Sequence, residues 1–137
     1  MSRLALTVAD ITLGAAIHEA MAPRTCEALK TLLPLRTKCI HVRWSGEAVW
    51  LPLGERELGL GFENPTSYPA VGQLLLYPGG VSEVEILLAY GYCHFASKAG
   101  TLAGNHFATI DQGTEHLAEI GRLALWQGAQ EAVLELV

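Results

Sequence analysis

The chain has 137 residues, 50% hydrophobic and 17% charged, the length of one ordinary domain and the composition of a globular chain, not a disordered one. Nine basic against fourteen acidic residues leave a formal charge of −5. These charges are spread along the chain, which argues against a phosphate-binding surface and so against nucleic acid as a main partner. Mean hydropathy is +0.28, yet no apolar run is long enough for a transmembrane helix, and Asp10 interrupts the N-terminal stretch before it reads as a signal peptide.

One domain, 1–137, is expected, mainly β. Leu4–Val8 and Ile11–Ile17 read as a hairpin. Pro23 suits the first turn of a helix that places Cys26, Leu29, Leu32 and Leu33 on one face and stops at Pro34. Lys38–Leu53 reads as a second hairpin closed by the two-residue connection Ser45-Gly46. In that register His41 faces Trp50 and Arg43 faces Ala48. Ile40, Val42, Trp44, Glu47, Val49 and Leu51 then form the core side, with His41, Arg43, Ala48 and Trp50 on the other. A slip of one residue exchanges the faces. Residues 54–72, rich in glycine and proline, form a long loop with a short strand near Leu58–Phe62. Strands follow at Gln73–Tyr77 and Glu83–Leu88, then irregular chain over Tyr90–Gly104 and a strand at Asn105–Ile110. A helix over Thr114–Gln127 puts Leu117, Ile120, Gly121, Ala124 and Gly128 on one face, and Ala132–Leu136 is the last strand. About eight strands and two helices predict a closed or nearly closed barrel.

The three cysteines, Cys26, Cys39 and Cys93, are odd in number and form no Cys-x-x-Cys. They are expected to be small buried apolar residues, reduced in a cytoplasm.

Three segments resemble the cyclophilins. Ala22-Pro23-Arg24-Thr25 is similar to the Ala-Pro-Lys-Thr opening of their first helix. Ile40-His41-Val42-Arg43 is similar to their Phe-His-Arg strand. Phe107–Ile110 with Gly113, Leu117 and Ile120 is similar to the close of their fold. Residues 43–50, 61–70, 72–80 and 103–107 resemble, more closely, a group of small bacterial cyclophilin-like proteins of unassigned function. The Gly-Gly-Asp and Asn-Gly-Ser-Gln-Phe-Phe segments of the proline pocket have no counterpart here. The resemblance implies a cyclophilin-like barrel that binds a small molecule or short peptide in a groove on its outer face. It also implies two alternatives. One is an enzyme or accessory subunit acting on ureas or cyclic amides. The other is a weak peptidyl-prolyl isomerase using Arg43, the counterpart of the cyclophilin catalytic arginine.

His41, Arg43 and Trp50 read either as a ligand wall, with a cation for a carboxylate and an indole for stacking, or as a solvated strand face. Glu83 and Glu85, two apart on one strand, are either a carboxylate pair with one raised pKa or a solvent-facing edge. Asn105 and His106 begin a strand near Gly100 and Gly104. They form either a polar pocket lip with Ser97 and Lys98 or ordinary turn chemistry. His94 and His106 lack any metal-ligand spacing, so no metal is expected. No dinucleotide fingerprint, phosphate loop or nucleophile elbow occurs, so no cofactor is expected. The candidate catalytic residues are Arg43, Glu83, Glu85 and His106. The ligand surface is expected to join His41, Arg43 and Trp50 to Glu63, Asn64 and Tyr68 of the loop, to Ser82 and Glu83, and to Asn105. Arg43 is expected to pair with Glu63, Glu83 or Glu85. Hydrophobic content this high in a small barrel predicts a homodimer or higher homo-oligomer.

Overall fold

The computed structural model describes residues 2–137. β1 (Arg3–Val8) and β2 (Ile11–Ile17) form the expected hairpin, Leu6 opposite Leu13 and Val8 opposite Ile11. α1 (Pro23–Thr31) opens on Pro23 and buries Thr25, Cys26 and Leu29. It ends before Leu32 and Leu33, which pack half-buried on the core from beyond the helix. The remaining strands are β3 (Leu35–His41), β4 (Gly46–Gly54), β5 (Pro65–Thr66), β6 (Gln73–Tyr77), β7 (Val84–Cys93), β8 (Ala96–Ser97), β9 (Gly100–Thr101), β10 (Gly104–Gln112) and β11 (Gln130–Leu136). A single 3-10 turn, Thr114–His116, leads into α2 (Leu117–Gln127).

Eight antiparallel strands run in the order β2-β1-β11-β3-β4-β7-β6-β10, and β10 pairs back onto β2 through Ala108 with Ile17 and Ile110 with Ala15. The fold is therefore a closed barrel, as expected, with two helices. Leu6, Leu13, Leu51, Leu74, Ile86 and Phe107 fill its interior. α2 packs on it through Leu117, Ile120, Gly121 and Ala124, while Gly128 stays exposed.

A second core lies outside the barrel. Leu75, Tyr77, Leu87, Ala89 and Cys93 on the outer faces of β6 and β7 pack under Phe95 and Leu102. β6 and β7 are thus buried on both faces. That is why Leu74-Leu75-Leu76 and Ile86-Leu87-Leu88 show no alternation of polarity.

Three expectations are corrected. β7 does not stop at Leu88. It continues to Cys93 because β4 offers it a partner along its whole length, from Gly54 opposite Val84 to Gly46 opposite Cys93. Leu58–Phe62 forms no strand; Leu58 and Leu60 rest on the main core, and the loop's one pairing is β5 on β10.

The third correction concerns the β3–β4 hairpin, which is slipped by one residue. Ile40 lies opposite Trp50 and His41 opposite Val49, and the Val42 amide donates to the Ala48 carbonyl at 3.1 Å. Trp50 therefore shares the outer face with Ile40, and His41 shares the inner face with the core residue Val49. The reason is tertiary. Ser45 is buried and joined to Ala96 by two bonds, its hydroxyl donating to the carbonyl at 3.1 Å and accepting from the amide at 3.0 Å. The Ser45 carbonyl also accepts from the His94 amide at 2.9 Å, so this residue is paired with the chain after β7 and not with β3. Gly46, at φ 102°, passes so close to β7 that a Cβ would stand 2.7 Å from the Tyr92 carbonyl oxygen.

Candidate functional site

The slipped register places a groove of about 540 Å³ on the outer barrel face. Its apolar surface comes from Ile40, Val42, Trp50 and Phe95. The β8–β9 hairpin borders one side with Ser97 and Lys98, the β6–β7 connection another with Val81 and Ser82, and Arg43 and Trp44 stand where β3 ends.

Glu85 is the acidic residue of this groove. It projects from the outer face of β7 between its cross-strand neighbours Pro52 and Tyr77. The Tyr77 hydroxyl accepts from the Val81 and Ser82 amides at 3.0 and 3.3 Å, which folds that connection beside it. Glu85 is only 7% exposed and belongs to no ion pair among the described residues; no buried side-chain nitrogen or oxygen among them lacks a hydrogen-bond partner, and what remains accessible of Glu85 opens into the groove. Burial, and then the charge of Glu83, push its carboxyl up to about 7. The expected carboxylate pair on one strand is not what forms: burial is the larger cause of this rise, and Glu83 adds to it from outside β7. Glu83 itself precedes β7 and lines a separate, polar cleft with Glu55, Arg56 and Glu57.

Arg43 is exposed at the groove margin. No ion pair among the described residues includes it, so the expected pairing with Glu63, Glu83 or Glu85 is absent. His41 also borders the groove. Its Nδ1 lies 2.8 Å from the Val42 carbonyl, which only accepts, so Nδ1 carries the hydrogen and Nε2 accepts from the Tyr90 hydroxyl at 2.7 Å.

Glu63, Asn64, Tyr68 and Asn105 lie outside the groove lining. The Glu63 carboxylate accepts from the Thr25 and Arg24 amides at 2.8 and 3.2 Å, so a loop residue caps the first turn of α1. Burial opposes ionisation of Glu63, but the bonds from Thr25 and Arg24 win and hold its carboxyl below the usual value. Asn105 is fully buried; it accepts from the Glu63 amide at 3.0 Å and donates to the Gly61 carbonyl at 3.0 Å and the Thr25 hydroxyl at 3.1 Å. Asn64 donates to the His106 carbonyl at 2.9 Å. Tyr68 stacks on His94, with ring centroids 4.5 Å apart.

His106 meets His18 over the Thr109 hydroxyl, their Nε2 atoms 2.9 and 2.7 Å from it. Burial and the neighbouring His18 lower the His106 pKa. Among the described residues no three His, Cys, Asp or Glu side chains are arranged around a metal position. The three cysteines are unpaired and buried, as expected. Burial pushes Cys26, Cys39 and Cys93 up to about 11, 12 and 11, so none is a thiolate nucleophile. No helix among the described residues is long and apolar enough to cross a membrane.

Sequence reasoning missed Ser97 and Lys98 as borders of the same groove as Arg43, and missed Phe95 altogether. The run Cys93–Leu102 has no periodicity that announces a flap over the outer sheet face.

Known proteins place the fold but name no reaction. A family model described as "Protein of unknown function (DUF3830)" matches residues 4–136. No curated protein matches the chain. The structure of McbB in complex with tryptophan is similar, with a TM-score of 0.74 and 18% identity over 96% of this chain. The chain spans 44% of McbB. The solution structure of the hypothetical protein AF2241 from Archaeoglobus fulgidus is similar over 98% of this chain and 93% of that one, with a TM-score of 0.58 and 15% identity.

Proposed function

The chain belongs to the DUF3830 family, and from that premise we propose that it is a cyclophilin-like domain over 1–137 that binds a small molecule or short peptide in the outer groove. The observation that carries this reading is Glu85, a largely withdrawn carboxyl outside any ion pair that opens into an aromatic-floored groove. Holding a carboxyl mostly withdrawn from water with no cation beside it costs free energy. A ligand group that bonds to it offsets that cost. Trp50 supplies a flat apolar surface and Arg43 a cation for a carbonyl or carboxylate. McbB, of the same fold, was solved with tryptophan, which supports a small ligand here. Self-association into a homodimer belongs to the same proposal.

The test is a titration of small planar amides and short peptides followed by tryptophan fluorescence. A ligand that quenches Trp50 is expected. Arg43→Ala should weaken it about tenfold or more, with stability held to within about 0.5 kcal/mol because the side chain is exposed. An Arg43→Ala protein that unfolds, or that binds as before, overturns the role of Arg43.

A second reading has a specific observation of its own. A carboxyl at about 7 is matched to general acid–base work at neutral pH. This favours an enzyme or accessory subunit acting on ureas or cyclic amides, with Glu85 shuttling the proton. Hydrolysis of such compounds, abolished in Glu85→Gln, checks it. The weak prolyl isomerase reading rests on Arg43 alone and is checked by a proline-peptide isomerisation assay of the same variant.

A further inference from the structure

Resting on the groove reading, we propose that the natural ligand is a short zwitterion, cationic at one end and a carboxylate at the other, laid along β4 across Trp50. The two ends of the groove are chemically opposite. Glu85 stands opposite Pro52. Two residues along β4 comes Trp50, opposite Ile40, and two further comes Ala48, bonded to the Val42 amide. Arg43 follows directly. Four residues of strand separate the Glu85 row from the Val42 row, roughly 13 Å at about 3.3 Å per residue.

The groove's acid is Glu85 and its permanent cations are Arg43 and Lys98. None of these three belongs to an ion pair among the described residues. In a chain of fourteen acids and nine bases, two bases bordering one groove with no acid engaging either are set for an outside anion. A guanidinium grips a carboxylate with parallel bonds. At the other end, an ammonium brings the positive charge that Glu85 has no ion-pair partner to supply. A dicarboxylate fails at Glu85, and a polyamine fails at Arg43. The span between the two rows, less the reach of two side chains that border the same groove, is about 10 Å, the length of an extended tripeptide. Trp50, between the ends, faces the middle residue.

Calorimetry with the intact chain tests this, using glycyl-phenylalanyl-glycine with free termini, its N-acetyl form and its C-terminal amide. The free tripeptide is expected to bind, and each blocked form to bind at least about tenfold more weakly. Glu85→Gln, a near-isosteric change, should erase the difference between the free and N-acetyl forms. Arg43→Ala should erase the difference between the free form and the amide. A blocked form that binds as well as the free peptide overturns the zwitterion and leaves the groove reading standing. So does binding of neutral planar amides at Trp50 when all three peptides fail. If neither peptides nor amides bind, the groove reading itself falls.

Discussion

Glu85 and Asn105 are both buried polar residues, and they spend their polarity in opposite ways. Asn105 satisfies its amide inside the protein through Glu63, Gly61 and Thr25. Asn105→Ala leaves a backbone amide, a carbonyl and a hydroxyl without that partner, so urea unfolding should show a loss of about 3 kcal/mol. Glu85 lines the groove instead, and its stability effect depends on pH. Unfolded, it ionises near 4.5; folded, at about 7. Between these values the folded chain holds a proton that the unfolded chain has released. The stability linked to Glu85 is therefore fully present below pH 4.5 and falls as pH rises through 7. The full loss is about 3 kcal/mol. Glu85→Gln should remove this dependence, so that the variant is the more stable protein at pH 8. Equal slopes of stability against pH for the two proteins would contradict the burial argument.

Each helix owes its placement to a residue from elsewhere. Ala22 gives α1 no side-chain cap, and Glu63, far along the chain, supplies one. α2 docks because Gly121 leaves room for the Tyr90 ring: a Cβ there would stand 2.4 Å from Tyr90 Cζ. Tyr90 in turn holds His41. Gly121→Ala should favour the isolated helix by propensity yet destabilise the protein by about 1–3 kcal/mol through overpacking. Thermal unfolding measures the sign. A histidine-ring NMR shift at His41 would show whether Tyr90 has moved, which a change confined to the helix would not produce.

At the scale of the molecule, closure of β10 on β2 leaves no long open edge in the barrel. What remains outside is apolar surface. Trp126 is 76% exposed and Tyr92 75%, with Leu125, Val137 and Phe62 also open. Burying part of this surface is the physical basis for the proposed homodimer. Light scattering at micromolar concentration should return twice the 14.7 kDa chain mass; a monomer mass at all concentrations would remove self-association from the proposal.

The sequence by itself determined the strand-rich barrel, both helices, the buried thiols and the candidacy of Arg43, Trp50 and Glu85. Those follow from local periodicity, turn residues and residue chemistry, which neighbours in the chain already encode. The faces of the β3–β4 hairpin were decided only in three dimensions, because Ser45 bonds to Ala96 and one residue of slip exchanges every side chain. The same holds for the duty of Glu63, Asn64 and Asn105. Their types suit a ligand lip and a loop anchor equally well, and the packing of α1 against β10 made them the anchor. The burial of Glu85 likewise came from cross-strand packing, with Pro52 of β4 on one side and Tyr77 across the β6–β7 connection on the other, a pairing that the periodicity around residue 85 does not show.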